Sequence, residues 1–360
     1  MTEPSAFRAE FPVLERVAYL NAGTNGPVPR RGADAAMARL RDELERGRAG
    51  DVHWKGLEEL HADLRARLAP LLGCEIGELA LTHSTTDGVA TVVAALELGP
   101  GDEVLTSDEE HPGLLAPLAA AQRRRGFQVR KVAFAELPGE IDPATRLVAC
   151  SHVSWVSGQV VDAPALAAGE ASVLLDGAQG LGGIPLDVRE LGCDFYAASG
   201  QKWLCGPEGT GCLYVHSERI EELGCPWPWF GSLADPSRPS DLVLHETARR
   251  FDLALAGAPA AWWRASLDLL AAAGWAWVHE RAATLAASLA ERLAERGLAV
   301  LPRGRTTLVA WRSEDGAAER DRLAGEGIVV RDLPGRGLVR ASVGAWTGEE
   351  ELERLAALAG

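Results

Sequence analysis

A lysine at the end of an apolar strand is the residue of this chain best suited to nucleophilic chemistry. Lys202 follows the apolar run CDFYAA and precedes a glycine-rich turn, within the segment SGQKWLCGPEGTG at residues 199–211. A dry cleft beside Ser199 would remove hydration from this amine, which lowers its pKa and makes it nucleophilic. A surface lysine in a loop gives the same local pattern, so this segment alone leaves both interpretations open.

A carboxylate stands at the end of another apolar strand. Asp176 closes the run SVLLD and is followed by Gly-Ala-Gln. A carboxylate placed there needs a cationic or hydrogen-bonding partner, and a protonated pyridine ring would serve as one. A helix N-cap or a metal ligand are the alternatives. The nearest histidine in sequence is His152, and no carboxylate–histidine cluster surrounds it, so we expect no metal site.

A third segment, THSTTDGVA at residues 82–90, places hydroxyl groups where a strand gives way to a helix. A helix that begins near Ser84 to Thr86 would offer free amides and hydroxyls to an anion. An ordinary N-cap formed by Ser84 or Thr85, with Asp87 in the first turn, explains the same residues. Taken alone, the cap is the more common outcome.

The elements that must position these residues alternate along the chain. Short apolar runs separated by helical patterns predict an α/β fold with a mostly parallel sheet covered on both faces. Residues 217–255 are rich in proline and irregular, and a long helical stretch after them could break near Gly274. The last 100 residues or so predict a second, smaller domain. The strands expected in the first part are LALTHS, EVLTS, QVRKVAF, RLVACSHV, SVLLDGAQ, CDFYAASG and GCLYV.

Composition excludes several classes of protein. The chain has 360 residues, a mass of 38.2 kDa and a formal charge of −15, from 36 basic and 51 acidic side chains. This charge repels phosphate backbones and anionic lipids, so we expect neither nucleic acid nor a membrane as a partner. Six cysteines without a CxxC pair predict neither a disulfide scaffold nor structural zinc. With no apolar leader or span, a reduced, soluble, cytoplasmic protein is expected.

Together the three segments, in this order, resemble the class V aminotransferase-like enzymes that use pyridoxal 5'-phosphate (PLP). This group of fold-type I includes cysteine desulfurases, isopenicillin N epimerases, cystine C–S lyases and kynureninases. The resemblance runs from Tyr19 to the C-terminus. It implies a PLP-binding domain at 21–255 with a seven-stranded sheet between helices, after an N-terminal segment at 1–20. A smaller α+β domain at 256–360 and a homodimer are also implied.

The resemblance assigns roles around the cofactor. Lys202 resembles the lysine that bonds covalently to PLP and later moves the Cα proton of the substrate. Asp176 resembles the partner of the pyridine nitrogen, and Gln179 the hydrogen-bond donor to the phenolic oxygen. His111, in SDEEHPGLLAP, falls where the family has a histidine stacked on the ring. Read without the resemblance, His111 would be an ordinary loop or cap histidine.

It also assigns roles to residues around the phosphate and the substrate. Thr85 and Thr86 resemble the phosphate-binding pair, and Ser199 and Gln201 add further polar groups. Arg340, in GLVRASV, matches the arginine that binds the α-carboxylate of the substrate, a task that suits the planar guanidinium. An arginine on a solvated rim is the alternative. The loop YLNAGTNGPVP resembles one near the substrate, with these candidates for contact: Asn21, Ala22 and Gly23.

Several positions depart from the desulfurase pattern. Gln201 replaces a histidine before the lysine; it can donate a hydrogen bond but does not titrate near neutral pH. Trp155 stands where desulfurases have an asparagine that bonds the cofactor. At Gly257-Ala258 a threonine hydroxyl that would reach the phosphate of a second subunit is lost.

The sulfur-accepting cysteine of desulfurases is absent. Their thiolate lies on a loop shortly before the carboxylate-binding arginine, but here that interval reads GEGIVVRDLPGRGLVR. Cys205 lies three residues after Lys202, in a Lys-Trp and glycine-rich turn that resembles the epimerase and C–S lyase branch. We interpret Cys205 as a packing residue.

These observations predict an enzyme that acts on a small amino acid, foremost a C–S lyase that releases sulfur from cysteine, cystine or a cysteine conjugate by β-elimination. A class V aminotransferase or an amino-acid epimerase is the alternative, and a cysteine desulfurase is disfavoured. A cofactor-binding sensor without turnover conflicts with the Lys202, Asp176 and Arg340 set. A nucleotide-dependent enzyme conflicts with the absence of a phosphate-loop motif.

Overall fold

The strands of this chain form three sheets within residues 3–360, the part that the computed structural model describes. The largest has seven strands in the order β2-β8-β7-β6-β5-β3-β4, and β8 alone runs antiparallel to its neighbours. The expected mostly parallel seven-stranded sheet is therefore confirmed. The strands are β1 (Ala18–Tyr19), β2 (Leu79–Thr82), β3 (Glu103–Ser107), β4 (Gln128–Val132), β5 (Thr145–Ser151), β6 (Ser172–Asp176), β7 (Phe195–Ser199), β8 (Gly211–Val215), β9 (Leu308–Arg312), β10 (Ile328–Val329), β11 (Arg331–Leu333) and β12 (Leu338–Ser342).

Helices cover both faces of the large sheet and one face of the small one. The helices are α1 (Pro4–Arg8), α2 (Arg30–Arg46), α3 (Gly50–Leu72), α4 (Thr85–Ala95), α5 (Pro112–Arg125), α6 (Ala163–Ala167), α7 (Val188–Leu191), α8 (Gly257–Ala273), α9 (Trp275–Glu295), α10 (Gly316–Gly325) and α11 (Glu349–Leu358). The break near Gly274 is confirmed, because this glycine takes a φ of +92° between α8 and α9. Residues 217–255 carry short 3-10 turns, as their irregular sequence predicted. No helix within 3–360 is long and apolar enough to cross a membrane.

Alternate residues of each central strand enter two separate hydrophobic cores, which explains why the strands read as continuous apolar runs. On β5, Val148 and Cys150 face the core that α3 and α8 cover. Leu147 and Ala149 face the opposite core, which α4 and α5 cover. All four side chains are fully buried, so both faces of this strand exclude water. The carboxyl ends of these strands emerge from a dry interior, and polar residues placed there lose much of their hydration.

The C-terminal part of the chain forms the antiparallel sheet β11-β12-β9, packed on α9, α10 and α11. The N-terminal strand β1 pairs in parallel with β10, so the start of the chain lies beside this smaller sheet. Helix α8, in contrast, packs on α2 and α3, and its Trp263 belongs to the core of the large sheet. The division into 1–20, 21–255 and 256–360 stays a prediction, and residues 1 and 2 lie outside the described part.

A buried ion pair covers the edge of the large sheet that β2 forms. Arg65 of α3 pairs with Asp252, and both side chains are about nine-tenths buried. Asp252 also accepts from the backbone N–H of Leu81 on β2 at 2.9 Å, while Arg65 donates to the carbonyl of Leu79 at 3.2 Å. These bonds satisfy backbone groups that would otherwise remain open at an edge strand.

Substitution of Asp252 by alanine should lower the free energy of unfolding by about 3–5 kcal/mol, because it leaves the Arg65 charge buried and unpaired. The matched control is Asp268→Ala, which removes an exposed ion pair with Arg67 and should cost less than about 1 kcal/mol. Chemical denaturation of both variants measures the difference. Equal losses in the two variants would show that the buried pair has no special weight.

Candidate active site

Residues from the ends of several strands of the large sheet line one cavity of about 260 Å³. Parallel strands direct their carboxyl ends to one edge, and a ligand site is expected there. The N-terminal loop and β11 close the cavity from the other side. The lining residues are Gly23, Thr24, Asn25, Ser84, Thr85, Thr86, His111, Trp155, Asp176, Ala178, Gln179, Ser199, Gln201, Lys202, Glu208 and Arg331.

An amine and a carboxylate face this cavity without touching. Lys202 lies in the turn after β7, and Asp176 is the last residue of the neighbouring strand β6. Within residues 3–360 no ion pair closer than 4 Å joins either one to any partner. The lysine side chain keeps some surface open to the cavity, but protein atoms surround it. Burial lowers the pKa of Lys202 to about 8, although Asp176 acts in the opposite direction. Burial likewise raises the pKa of Asp176, although Lys202 opposes that rise.

The start of α4 lies at one end of the cavity. Ser84 caps the helix by accepting from the N–H of Asp87 at 3.1 Å. The N–H and hydroxyl of Thr85 both bond to the Ser199 hydroxyl, at 3.1 and 2.6 Å. The N–H of Thr86, one residue further, has no partner among the described residues. The cap interpretation is confirmed for Ser84, while anion binding stays a prediction for which the free N–H of Thr86 leaves room.

Gln179 links the N-terminal loop to the turn that contains Lys202. Its Nε2 donates to the carbonyl of Gly23 at 2.8 Å, and its Oε1 accepts from Trp203 Nε1 at 3.1 Å. These bonds fix the amide plane and leave one N–H of Nε2 for a ligand. Nearby, Gln201 Oε1 is buried without a partner.

Arg340 lies directly behind the cavity wall rather than in it. The side chain is fully buried, Nη1 donates to the carbonyl of Trp155 at 2.5 Å, and Nε and Nη2 have no partner. A Cβ built on Gly23 would lie 2.9 Å from Nη2 and 2.7 Å from Ser342 Oγ, another buried atom without a partner. Glycine thus leaves open the space toward which these donors converge, and a carboxylate there would satisfy them.

The three residues of the N-terminal loop behave differently. Gly23 lines the cavity, whereas the Ala22 side chain is fully buried in the cluster of Phe7 and Trp346. Asn21 forms a bridge with Ser342 and accepts from the Thr24 hydroxyl at 2.8 Å. Substrate contact by the side chains of Asn21 and Ala22 would therefore require a rearrangement of this loop.

Arg331 was missed by the sequence reasoning, although it lines the cavity. It pairs in register with Arg340 across the β11–β12 hairpin, and it donates to the Thr24 hydroxyl at 3.1 Å. Its guanidinium lies 5.7 Å from the ring centre of Trp155, as does that of Arg336. The tight turn PGRG between two apolar runs indicates a hairpin. Pairing outward from that turn would have placed Arg331 beside Arg340.

His111 and Trp155 form one wall of the cavity. Their rings meet edge to face with centres 5.0 Å apart, and His111 Nδ1 accepts from the N–H of Gly113 at 3.0 Å. Burial, followed by the positive charges of Lys202 and the two arginines, lowers the pKa of His111 to about 4. This imidazole is therefore neutral near pH 7, with its proton on Nε2, and suits an aromatic contact better than ion pairing.

Two carboxylates hold this wall in place. Glu110 accepts from the N–H and hydroxyl of Ser151 at 2.9 and 2.6 Å, at the end of β5. Glu109 accepts from the hydroxyls of Ser154 and Ser157, on either side of Trp155. Burial is the main cause that raises the pKa of Glu110 to about 7.

The residues present fit PLP. A lysine of lowered pKa suits its aldehyde, a buried carboxylate suits its ring nitrogen, and a helix start with a free amide suits its phosphate. Buried polar atoms without partners adjoin the same space. The individual roles of the residues stay predictions.

Comparison with known proteins points the same way. A family model described as aminotransferase class-V matches residues 19–355. A cysteine desulfurase of Klebsiella pneumoniae is 34% identical over 63% of this chain and 61% of its own length. An isopenicillin N epimerase of Amycolatopsis lactamdurans is 32% identical over 94% of both chains. The cystine C–S lyase C-DES, solved with its product cysteine persulfide, superposes with a TM-score of 0.90 at 29% identity, over 96% of this chain and 98% of its own. A second C-DES structure has glycine covalently linked to its PLP cofactor.

The Glu110→Gln variant should gain stability relative to wild type as pH rises. Glu110 titrates near 4.5 when unfolded and near 7 when folded. Between these values unfolding releases a proton, so the free energy of unfolding of the wild type falls as pH rises. Glutamine still accepts from Ser151 without this penalty, so the difference should grow by up to about 3 kcal/mol from pH 4.5 to pH 7. Denaturant titrations at several pH values measure it, and a difference that is constant with pH would contradict the account.

Proposed function

We propose that this chain, which belongs to the aminotransferase class-V family, is a PLP-dependent C–S lyase. Its substrate would be a small amino acid with two carboxylate groups, such as cystine. The reaction breaks the Cα–H and Cβ–S bonds. Cystine and water would give pyruvate, ammonia and cysteine persulfide. PLP, when bound, accepts the electrons of the bond that is broken at Cα.

Several residues of the cavity have a task in this proposal. Lys202 would hold the aldehyde carbon, and Asp176 would keep the ring nitrogen protonated. Thr86 and the start of α4 would hold the phosphate, with Ser199 and Gln201 beside it, and His111 would lie against the ring. With a pKa of about 8, Lys202 has a sizeable neutral fraction near neutral pH, so its Nζ can take the Cα proton. The same amine can then donate that proton to the leaving sulfur.

The proposed substrate is chosen because of the pair of arginines on β11 and β12. Arg331 and Arg340 lie in register, and neither has a carboxylate partner within residues 3–360. Arg340 has two unpaired donors behind Gly23 and would take the α-carboxylate. Arg331 lines the cavity itself and would take a second anionic group. A substrate with two carboxylates uses both, whereas cysteine uses one.

The cysteines argue against a desulfurase. The segment before Arg340 is a tight hairpin of β11 and β12 without a cysteine. Cys205, the nearest thiol to Lys202 in sequence, is fully buried, and burial holds its pKa well above the usual range. A buried protonated thiol is a poor sulfur acceptor.

An amino-acid epimerase or an aminotransferase is the alternative. The 32% identity with an isopenicillin N epimerase, which extends over 94% of both chains, favours the epimerase among these two. Both reactions need the same lysine, carboxylate and arginine, so the residues of the cavity do not separate them from a lyase.

Product analysis separates these reactions. Incubation of the PLP-loaded enzyme with L-cystine should give pyruvate and cysteine persulfide. Pyruvate should form at least about tenfold faster than from L-cysteine, whose β-elimination would release sulfide instead. Lys202→Ala should abolish turnover, while Lys131→Ala, an exposed lysine, should retain it. Arg331→Ala should raise KM for cystine by about 10- to 100-fold, as loss of one charged hydrogen bond of 1.5–3 kcal/mol implies. Formation of D-amino acids or keto acids without pyruvate and persulfide would exclude the lyase.

We further propose a homodimer. Large apolar side chains are exposed on α2, at the start of α3 and in the irregular segment 217–255. They are Met37, Leu40, Leu44, Val52, Trp54, Trp227, Phe230, Leu242 and Val243. Gly257 and Ala258 lie beside Leu40 and Trp54 and do not line the active-site cavity. A second copy that covers this face would hide its apolar area and would bring Gly257 and Ala258 to the subunit contact.

Sedimentation should show a dimer for the wild type and a monomer for the double variant Leu44→Glu, Trp54→Glu, because two buried carboxylates oppose association. The control is Ile76→Glu, which places a carboxylate on an exposed apolar residue beyond the opposite end of α3. A monomeric wild type, or dissociation by the control alone, would contradict the proposed interface.

A further inference from the structure

One turn beside the catalytic lysine has a strained backbone. Cys205 takes a φ of +51°, the left-handed region, and among the described residues only Leu242 is another non-glycine residue there. Leu242 lies in an exposed loop, whereas Cys205 is fully buried. A left-handed conformation is unfavourable for an L-residue, and such strain persists only where surrounding contacts enforce it.

Helix α8 supplies those contacts. The carbonyl oxygen of Cys205 accepts from Trp262 Nε1 and from Ser266 Oγ, both at 2.9 Å. The two donors are four residues apart and therefore project from the same face of the helix. Together they use both lone pairs of this oxygen and fix the orientation of the peptide that follows Cys205.

The clamped carbonyl is connected to Lys202 through one tight turn. The N–H of Cys205 donates to the carbonyl of Lys202 at 3.1 Å, and the N–H of Gly206 donates to that of Gly200 at 2.9 Å. On the other side, the N–H of Gly26 donates to the carbonyl of Gln201 at 2.7 Å. The backbone on both sides of Lys202 is thus held, while its amine has no hydrogen-bond partner among the described residues.

A close approach of α2 to α8 supports the clamp. A Cβ on Gly32 of α2 would lie 2.4 and 2.6 Å from the indole atoms Cδ1 and Nε1 of Trp262, and 3.1 Å from Ser266 Oγ. Only glycine leaves room for both donors at this crossing. A glycine is therefore required at the point of α2 that faces the two donors.

We propose that Trp262 and Ser266 are positioning residues that hold the Lys202 amine inside the cavity. They do so by clamping the carbonyl of Cys205 and thereby keeping its backbone in the strained conformation. This inference rests on the proposed role of Lys202, but its geometry does not depend on which reaction the enzyme catalyses. Loss of the clamp lets Cys205 return to an ordinary φ, and the turn then carries the lysine toward solvent.

The test measures the titration of Lys202 in the cofactor-free protein. The chain has three lysines, and Lys55 and Lys131 are exposed, so they act as internal references. Labelling with cyanate over a range of pH, followed by peptide mass spectrometry, gives a midpoint for each lysine. Asp176, His111, Arg331 and Arg340, which act electrostatically on Lys202, are unchanged in all variants.

In the wild type the midpoint of Lys202 should lie well below those of Lys55 and Lys131. Ser266→Ala should move it upward by about one pH unit, a tenfold change in proton affinity. In the background of Cys205→Gly the same Ser266→Ala change should move it by less than twofold, because glycine takes a positive φ without strain and needs no clamp. Melting temperatures of all four proteins control for general loosening, since a merely structural bond would lower stability equally in both backgrounds.

An equal shift from Ser266→Ala in both backgrounds, or no shift in either, would overturn the proposal. The experiment needs neither PLP nor turnover. The lyase assay could therefore fail while Ser266→Ala still shifts the Lys202 midpoint only in protein that contains Cys205. That result would contradict the proposed function and support the positioning role of Trp262 and Ser266.

Discussion

The site depends on an amine and a carboxylate that share one cavity without forming an ion pair. Burial of a charge is costly unless it is compensated, and here Lys202 and Asp176 compensate each other only at a distance. The two hydrophobic cores on either side of the large sheet create this environment, because they exclude water from β6, which ends at Asp176, and from β7, which ends three residues before Lys202. The unpaired state is what leaves both groups available to a cofactor of complementary charge.

The second half of the site requires the two ends of the chain to meet. Gly23, from the N-terminal loop, lies against Arg340 of β12, and the backbone of Leu20 accepts from Ser342 at 2.7 Å. The parallel pairing of β1 with β10 fixes this contact. The space between Gly23 and Arg340 therefore exists only when these distant segments are packed together. If it binds the α-carboxylate as proposed, substrate binding depends on the docking of the smaller sheet on the N-terminal loop.

Sequence reasoning located the residues at strand ends well, since a polar residue after an apolar run is a local signal. Lys202, Asp176 and Thr85 accordingly meet in one cavity. His111 lines the same cavity, but it was singled out only by the family resemblance. Contacts between residues distant in sequence could not be predicted as well, because no local pattern specifies them. Arg331 became visible only through its register with Arg340, and the Ala22 side chain turns into a cluster formed by residues distant in sequence. Likewise, the amphipathic pattern of α8 identified a helix but not its packing against α2, since apolar faces do not specify their partners.

Attachment of PLP to Lys202 can be tested directly because the chain has three lysines. The protein would be mixed with PLP, reduced with borohydride, digested and analysed by mass spectrometry. We expect one pyridoxyl group per chain, confined to the peptide that contains Lys202. Label on Lys55 or Lys131 instead, or label spread over all three, would contradict it.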